Sequence, residues 1–216
     1  MSSGACGYTR IPMQAHLKNY QLVHPESRKD CNMTLLFSND LTSAFLAEIV
    51  RAFQQHHGSH YLGRTAMQKL AYFSQAIGVP IPCSFEIYNF GPYSDTITFA
   101  VESMIADDLI QDISTNPKYS NYRPKPGAPQ FSQEIQEAVA PYRQKIANVV
   151  RTLGKFDPPQ LEVLTTLHFI ATKIRSLGGN SDKKTIMAQF FRVKGDKFSA
   201  QEVSSWYEAL KSAKLV

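Results

Sequence analysis

Leu109-Ile-Gln-Asp-Ile-Ser-Thr-Asn-Pro-Lys-Tyr-Ser-Asn-Tyr-Arg123 decides the fold. Two short runs, 109–113 and 121–123, flank a polar Ser-Thr-Asn-Pro turn, which is the pattern of a small β-hairpin. Just before it, Ile97, Val101, Met104 and Ile105 share one face of a helix expected over about 94–109. Two more helical patterns precede that one. Leu46, Ile49, Val50 and Phe53 form a stripe at i, i+3, i+4, i+7 within a helix expected over 41–56. Asp40 is placed to cap it and Gly58 to end it. Ala66, Leu70, Phe73 and Ile77 form the stripe of the second, over 66–77, and Thr65-Ala-Met-Gln68 has the form of a capping box. Three helices followed by a hairpin outline a winged helix.

Between the second and third helices lies Val79-Pro-Ile-Pro-Cys-Ser-Phe-Glu-Ile-Tyr-Asn-Phe-Gly-Pro-Tyr-Ser94. Its prolines and Gly-Pro pair forbid a continuous helix, so a short extended segment turning at Gly91-Pro92 is expected. Upstream, residues 1–38 show no clear period and read as irregular, with an extended piece near Thr34–Phe37.

Downstream of the Pro/Gly-rich stretch 124–129, Ile135, Val139, Tyr142, Ile146, Val149 and Leu153 keep the 4-3-4-3-4 spacing of a packing seam, which Pro141 must kink or split. Asp157-Pro-Pro159 opens another helix that runs to Gly178-Gly179. Two more are expected over about 182–192 and 199–213, the last opened by Ser199-Ala-Gln-Glu202 as a second capping box. The expected fold is therefore mainly α. An irregular segment 1–40 precedes a winged-helix-like module 41–125 with a small β-hairpin, and a helical C-terminal module 126–216 packs on it.

Composition narrows the function. The hydrophobic share of 43%, with 13 Phe and 10 Tyr, supports a real core rather than disorder. No apolar run reaches the ~18 residues of a membrane helix, and residues 1–10 do not read as a secretory signal. Three scattered cysteines, Cys6, Cys31 and Cys83, form no Cys-x-x-Cys pair, which fits a reducing cytoplasm. The net charge of +5 is unevenly spread. Residues 60–115 hold two basic against six acidic groups, whereas 116–156 hold seven basic against two acidic.

Catalytic motifs are not found: no Gly-x-Ser-x-Gly, no His-Glu-x-x-His and no Walker-type loop. Gly178-Gly-Asn-Ser-Asp-Lys-Lys184 imitates a phosphate loop, but no strand precedes it. His56, His57 and His60 cluster, yet His56/His60 have ligand spacing only if the helix runs past Gly58, and no acidic or cysteine partner stands nearby. His168 reads as a hydrogen-bonded core residue. No catalytic residue, metal or cofactor is expected.

Leu62-Gly-Arg-Thr-Ala-Met-Gln-Lys-Leu-Ala-Tyr-Phe73 and Phe90-Gly-Pro-Tyr-Ser94 are similar to the opening helix and the "YGPYS" element of YwgA-like proteins. Residues 161–171 and 197–215 resemble the same family's C-terminal half. That family includes the C-terminal module of the DarG antitoxin, with SocA/Panacea-type antitoxin domains as more distant relatives. The resemblance covers about 41–216. Phe90 stands where the family has Tyr, and the DarG macrodomain has no counterpart. The resemblance implies a non-enzymatic helical module of antitoxin or inhibitor type. Its partner would be a protein, a toxin or phage-defence enzyme acting on nucleic acid.

The residues expected to meet that partner are Arg64, Lys69 and Tyr72 of the second helix, Tyr88, Phe90, Pro92 and Tyr93 of the aromatic loop, and the carboxylates Asp95, Glu102 and Asp108. Rigid aromatics give contact area at low entropic cost, and an acidic face can occupy a partner's DNA-binding groove. Helix capping, a solvated lysine and core-plugging aromatics are the plainer account of the same residues. A winged-helix DNA regulator is the competing expectation. It would use Arg123, Lys125, Arg192, Lys194 and Lys197 against phosphate. An enzyme of unknown type, using His56, His57 or Cys83, is the third.

Overall fold

Backbone from Arg28 and side chains from Asp40 to Val216 are described by the computed structural model. Contacts divide the chain into residues 1–35 and 36–216, so modules 41–125 and 126–216 belong to one unit rather than two. The described residues form eight α-helices and two antiparallel hairpins. In chain order these are α1 (Arg28–His57), α2 (Arg64–Ala76), β1 (Glu86–Tyr88), β2 (Gly91–Tyr93), α3 (Asp95–Ala106), β3 (Ile110–Asp112), β4 (Tyr122–Pro124), α4 (Gln133–Val139), α5 (Arg143–Leu153), α6 (Pro158–Ser176), α7 (Lys183–Lys194) and α8 (Ala200–Ser212). The protein is mainly α. Three helices precede the β3–β4 hairpin in the expected order, and α2, α3 and the hairpin stand close to where the sequence places them, with residues 110–112 paired to 122–124.

Helix α1 begins thirteen residues before Leu41, since no proline or glycine lies between Pro25 and Gly58 to stop it. Asp40 is therefore inside the helix and is not its N-cap, and Thr34–Phe37 are helical rather than extended. Any account of residues 1–27 lies outside the described residues. The apolar stripe itself is as expected, with Leu46, Ile49, Val50 and Phe53 all buried.

Helices α2 and α6 form the centre. Helix α2 packs on α3, α5, α6 and β2, and α6 packs on α7 and α8 as well. Each is buried on nearly every side: Ala66–Ser74 in α2 and Leu161–His168 in α6. A helix surrounded by others needs no solvent face, so an amphipathic stripe understates what it buries. Polar residues are consequently trapped, among them Gln68, Lys69, Glu162, Thr165, Thr166 and His168.

The Thr65–Gln68 capping box does not form. Gly63 is the N-cap of α2 and supplies no side-chain bond. Gln68 instead grips the main chain of Ser94, accepting from its N–H at 3.0 Å and donating to its carbonyl at 2.9 Å. Holding a buried peptide group by both of its polar atoms ties the start of α3 to α2. The reciprocal box is found at Asp157 and Gln160, where Pro158 opens α6. At α8 only Ser199 contributes, accepting from Glu202 N–H at 3.2 Å. Pro141 acts as expected, breaking the seam into α4, a 3-10 turn over Ala140–Tyr142, and α5.

Candidate partner-binding site

The aromatic stretch folds into a two-stranded ribbon, with Glu86 opposite Tyr93, Ile87 opposite Pro92 and Tyr88 opposite Gly91. Its tip is Asn89-Phe90, two residues earlier than the turn expected at Gly91-Pro92. Gly91 follows the tip at φ +86°, a backbone conformation that costs a side-chain-bearing residue free energy. A Cβ there would also lie 2.6 Å from Thr166 Oγ1 and 3.4 Å from Lys69 Nζ. Glycine thus lets the ribbon lie directly on α6. Pro92, which has no N–H to leave unpaired, is buried behind it.

Two buried lysines hold this ribbon by its carbonyls. Lys69, on α2 and 2% exposed, donates to Pro92 O at 2.6 Å. Lys194, at the end of α7, donates to Asn89 O at 2.8 Å. Glu162 of α6 is 2% exposed, with Lys194 Nζ at 2.9 Å and Lys197 Nζ at 2.7 Å. Two ammonium groups therefore meet one carboxylate, and Lys69 feels its charge without touching it. Burial, and then the charge of Lys194, lower the Lys69 pKa to about 7 despite the pull of Glu162. Burial also lowers Lys194, against its bond to Glu162. Thr166 Oγ1, one turn along α6, is buried with no hydrogen-bond partner among the described residues.

Above this buried base the rings are open to solvent. Tyr88 is 65% and Phe90 59% exposed. Tyr88 lies against Tyr93 with centroids 5.5 Å apart, and the Tyr93 hydroxyl is 2.8 Å from Thr98 Oγ1 on α3. Lys197 Nζ sits 4.9 Å from the Phe90 ring centroid, a cation–π distance.

Of the residues expected to meet a partner, then, Tyr88, Phe90 and Tyr93 share one element, with Pro92 buried beneath them. Lys69 does reach the Gly-Pro-Tyr loop, but from inside, as a buried anchor and not a solvated lysine. Tyr72 is a core residue, because α2 is covered on that side too. Its hydroxyl meets His168 Nδ1 at 2.7 Å and its ring packs against Phe73, Phe85 and Phe169. Burial raises the Tyr72 pKa, while burial and then Arg175 lower His168 to about 4, so His168 is neutral near pH 7. Arg64 points elsewhere, donating to Ser120 Oγ at 3.1 Å beside the β3–β4 hairpin. Asp95 and Glu102 are exposed on α3, and Asp108, just past its end at φ +59°, pairs with Lys125.

The cations proposed for phosphate are mostly engaged within the protein. Arg123 Nη2 donates to Gly58 O and His60 O at 2.9 and 2.7 Å, Lys125 pairs with Asp108, and Lys194 and Lys197 meet Glu162. Arg192 is exposed. His57 donates through Nε2 to Val150 O at 3.0 Å, and α1 ends at His57, so His56 and His60 do not share a helix. Among the described residues no three His, Cys, Asp or Glu side chains gather as a metal site would require. Burial pushes the Cys83 thiol up to about 11 against the hydrogen bonds it receives, which leaves it protonated at neutral pH.

Sequence reasoning missed Glu162 and Thr166. One signal was present: Glu162 lies inside Leu161-Glu-Val-Leu-Thr-Thr-Leu167 with no cation three or four residues away on its own helix. An acid in such a run needs a partner from another element. Comparison with protein-family models and with curated proteins finds no match for this chain. Among the described residues no helix is long and apolar enough to cross a membrane.

Proposed function

We propose that this chain is a non-enzymatic module that binds and neutralises a partner protein, in the manner of an antitoxin or inhibitor, using the β1–β2 hairpin as its anchor. The target class suggested by the YwgA-like resemblance is a toxin or defence component that acts on nucleic acid. The observation carrying this reading is the pairing of two exposed rings, Tyr88 and Phe90, with a main chain pinned from beneath by Lys69 and Lys194. Free aromatics are common, but aromatics on a preordered turn lose little further entropy when they bind. The outer face of α3 adds Asp95 and Glu102, which have no ion-pair partner among the described residues. A regulator binding duplex DNA draws less support, since four of its five candidate cations already have partners inside the protein.

The test is affinity capture from native lysate, run with and without nuclease, comparing wild type with Phe90→Ala and Tyr88→Ala. A stoichiometric protein lost with either variant, and shown with purified components to be inhibited by the wild type, is the expected result. Recovery only of nuclease-sensitive material would sink the proposal.

A further inference from the structure

Four ionisable groups under the hairpin tip are out of balance, and only one of them faces outward. Glu162 offers a single negative charge to Lys69, Lys194 and Lys197. Lys69 and Lys194 are enclosed and spend hydrogen bonds on the Pro92 and Asn89 carbonyls. Lys197 differs. Its side chain is 41% exposed, and its ammonium gives two hydrogen bonds, to Glu162 Oε1 and Oε2 at 2.9 and 2.7 Å. An ammonium has three donors, so one is left that Glu162 does not take. That group stands 4.9 Å from the Phe90 ring and 5.2 Å from that of Phe198. The surface there consists of an exposed ring edged by a cation whose only carboxylate partner among the described residues is shared with a second lysine.

We infer that the hairpin tip, with Phe90 and Tyr88 as apolar anchors and Lys197 as the charged edge, receives an acidic segment of a protein partner, one carboxylate of which takes the free donor of Lys197. This rests on the protein-binding reading above and names the chemistry of the partner. Charge complementarity selects an acidic occupant. A basic segment would meet the uncompensated positive charge of the cluster at short range, and a purely apolar one would bury Lys197 with a donor unpaired. Asp196, adjacent in the chain, is exposed and without an ion pair among the described residues, and it opposes the same carboxylate weakly.

Selection from a displayed random-peptide library on the purified full chain tests this directly. Synthetic copies of the enriched peptides are then titrated against wild type, Phe90→Ala, Lys197→Glu, Lys197→Met and Asp196→Asn, each first shown to retain the wild-type circular dichroism. Acidic peptides should dominate. Their affinity should fall about tenfold or more with Phe90→Ala and with Lys197→Glu, fall less with Lys197→Met, rise slightly with Asp196→Asn, and weaken between ~50 mM and ~1 M salt. Basic or uncharged peptides that still depend on Phe90 would overturn the acidic assignment and leave the protein-binding hairpin standing. Peptides indifferent to both Phe90 and Lys197 would remove the hairpin as the site. No enriched peptide at all would overturn this inference, while the lysate capture above still decides the broader reading.

Discussion

Lys69 is 2% exposed, and its pKa of about 7 lies far below the ordinary lysine value of 10.5. Between those two pH values the unfolded chain binds the proton more firmly than the folded one. Stability must therefore rise as pH goes from about 7 towards 10, by up to about 1.4 kcal/mol per unit for one such group. Urea midpoints at pH 7 and pH 9 should show the rise, and Lys69→Met should flatten it; an equal slope in the variant would show that the gain comes from elsewhere. His168 works in the acid range by the same rule. Its folded pKa of about 4 lies below the usual 6.5, so stability is lost as pH falls from 6.5 to 4. His168→Gln should reduce that loss, as read from melting temperatures across the range. Thr166 gives the sharpest test of an unpaired group, since its hydroxyl is buried without a partner among the described residues. Thr166→Val keeps the shape and removes the polar atom, and should raise stability by about 1 kcal/mol in chemical denaturation. A loss instead would mean that the hydroxyl has a partner, such as a bound water. None of these three residues announces its role in the sequence. A lysine, a histidine and a threonine on helices look alike whether they face water or a neighbouring helix, and the packing partner decides.

At the scale of elements, the outline was legible and the lengths were not. The apolar stripes of α1, α3, α5 and α8, the Pro141 break and the β3–β4 hairpin follow from period and turn chemistry alone. The start of α1 did not, because residues 28–40 contain neither a stop signal nor an apolar stripe. The caps were half legible: Ser199 and Asp157 cap as their types suggest, but Gln68 was taken from its expected box by the buried main chain of Ser94. The candidate site was partly legible for the same reason. Its aromatics stand out in the sequence, whereas the Lys69–Glu162–Lys194 base joins residues from three helices up to 125 positions apart. Gly91 tests how closely the β1–β2 ribbon must lie on α6. Gly91→Ala should cost about 1–2 kcal/mol from its positive φ and add a clash with Thr166. Thr166→Ala placed in that background should recover only the clash. Full recovery, measured by thermal unfolding, would mean that the backbone conformation costs nothing.

At the scale of the whole described unit, the question is whether residues 41–125 could stand apart as a winged-helix module. The burial of α2 predicts that they cannot. Leu70 and Phe73 are 0% and 2% exposed, and α5 and α6, both beyond residue 140, pack over α2. Lys69 would be left with its hairpin carbonyl but without Glu162, and Tyr72 without His168. Removing α4–α8 thus exposes a broad apolar face to water and removes the charge partner of Lys69 and the hydrogen-bond partner of Tyr72. Trp206, the single tryptophan, sits on α8 against Phe156 with centroids 5.2 Å apart, far in sequence from α2. It provides a reporter for the C-terminal helices, while far-ultraviolet circular dichroism reports all of them. In urea the two signals should trace one coincident transition, as expected of a single cooperative unit. A fragment limited to 41–125 should show little fixed helix by itself, and should gain it when the complementary fragment 126–216 is added. Two separated transitions, or a folded 41–125 fragment, would instead restore the two-module architecture. The partner-binding hairpin would then be a part that could be moved without its helical base. Coincident transitions would mean that the exposed rings keep their geometry only while α6 and α7 remain packed beneath them.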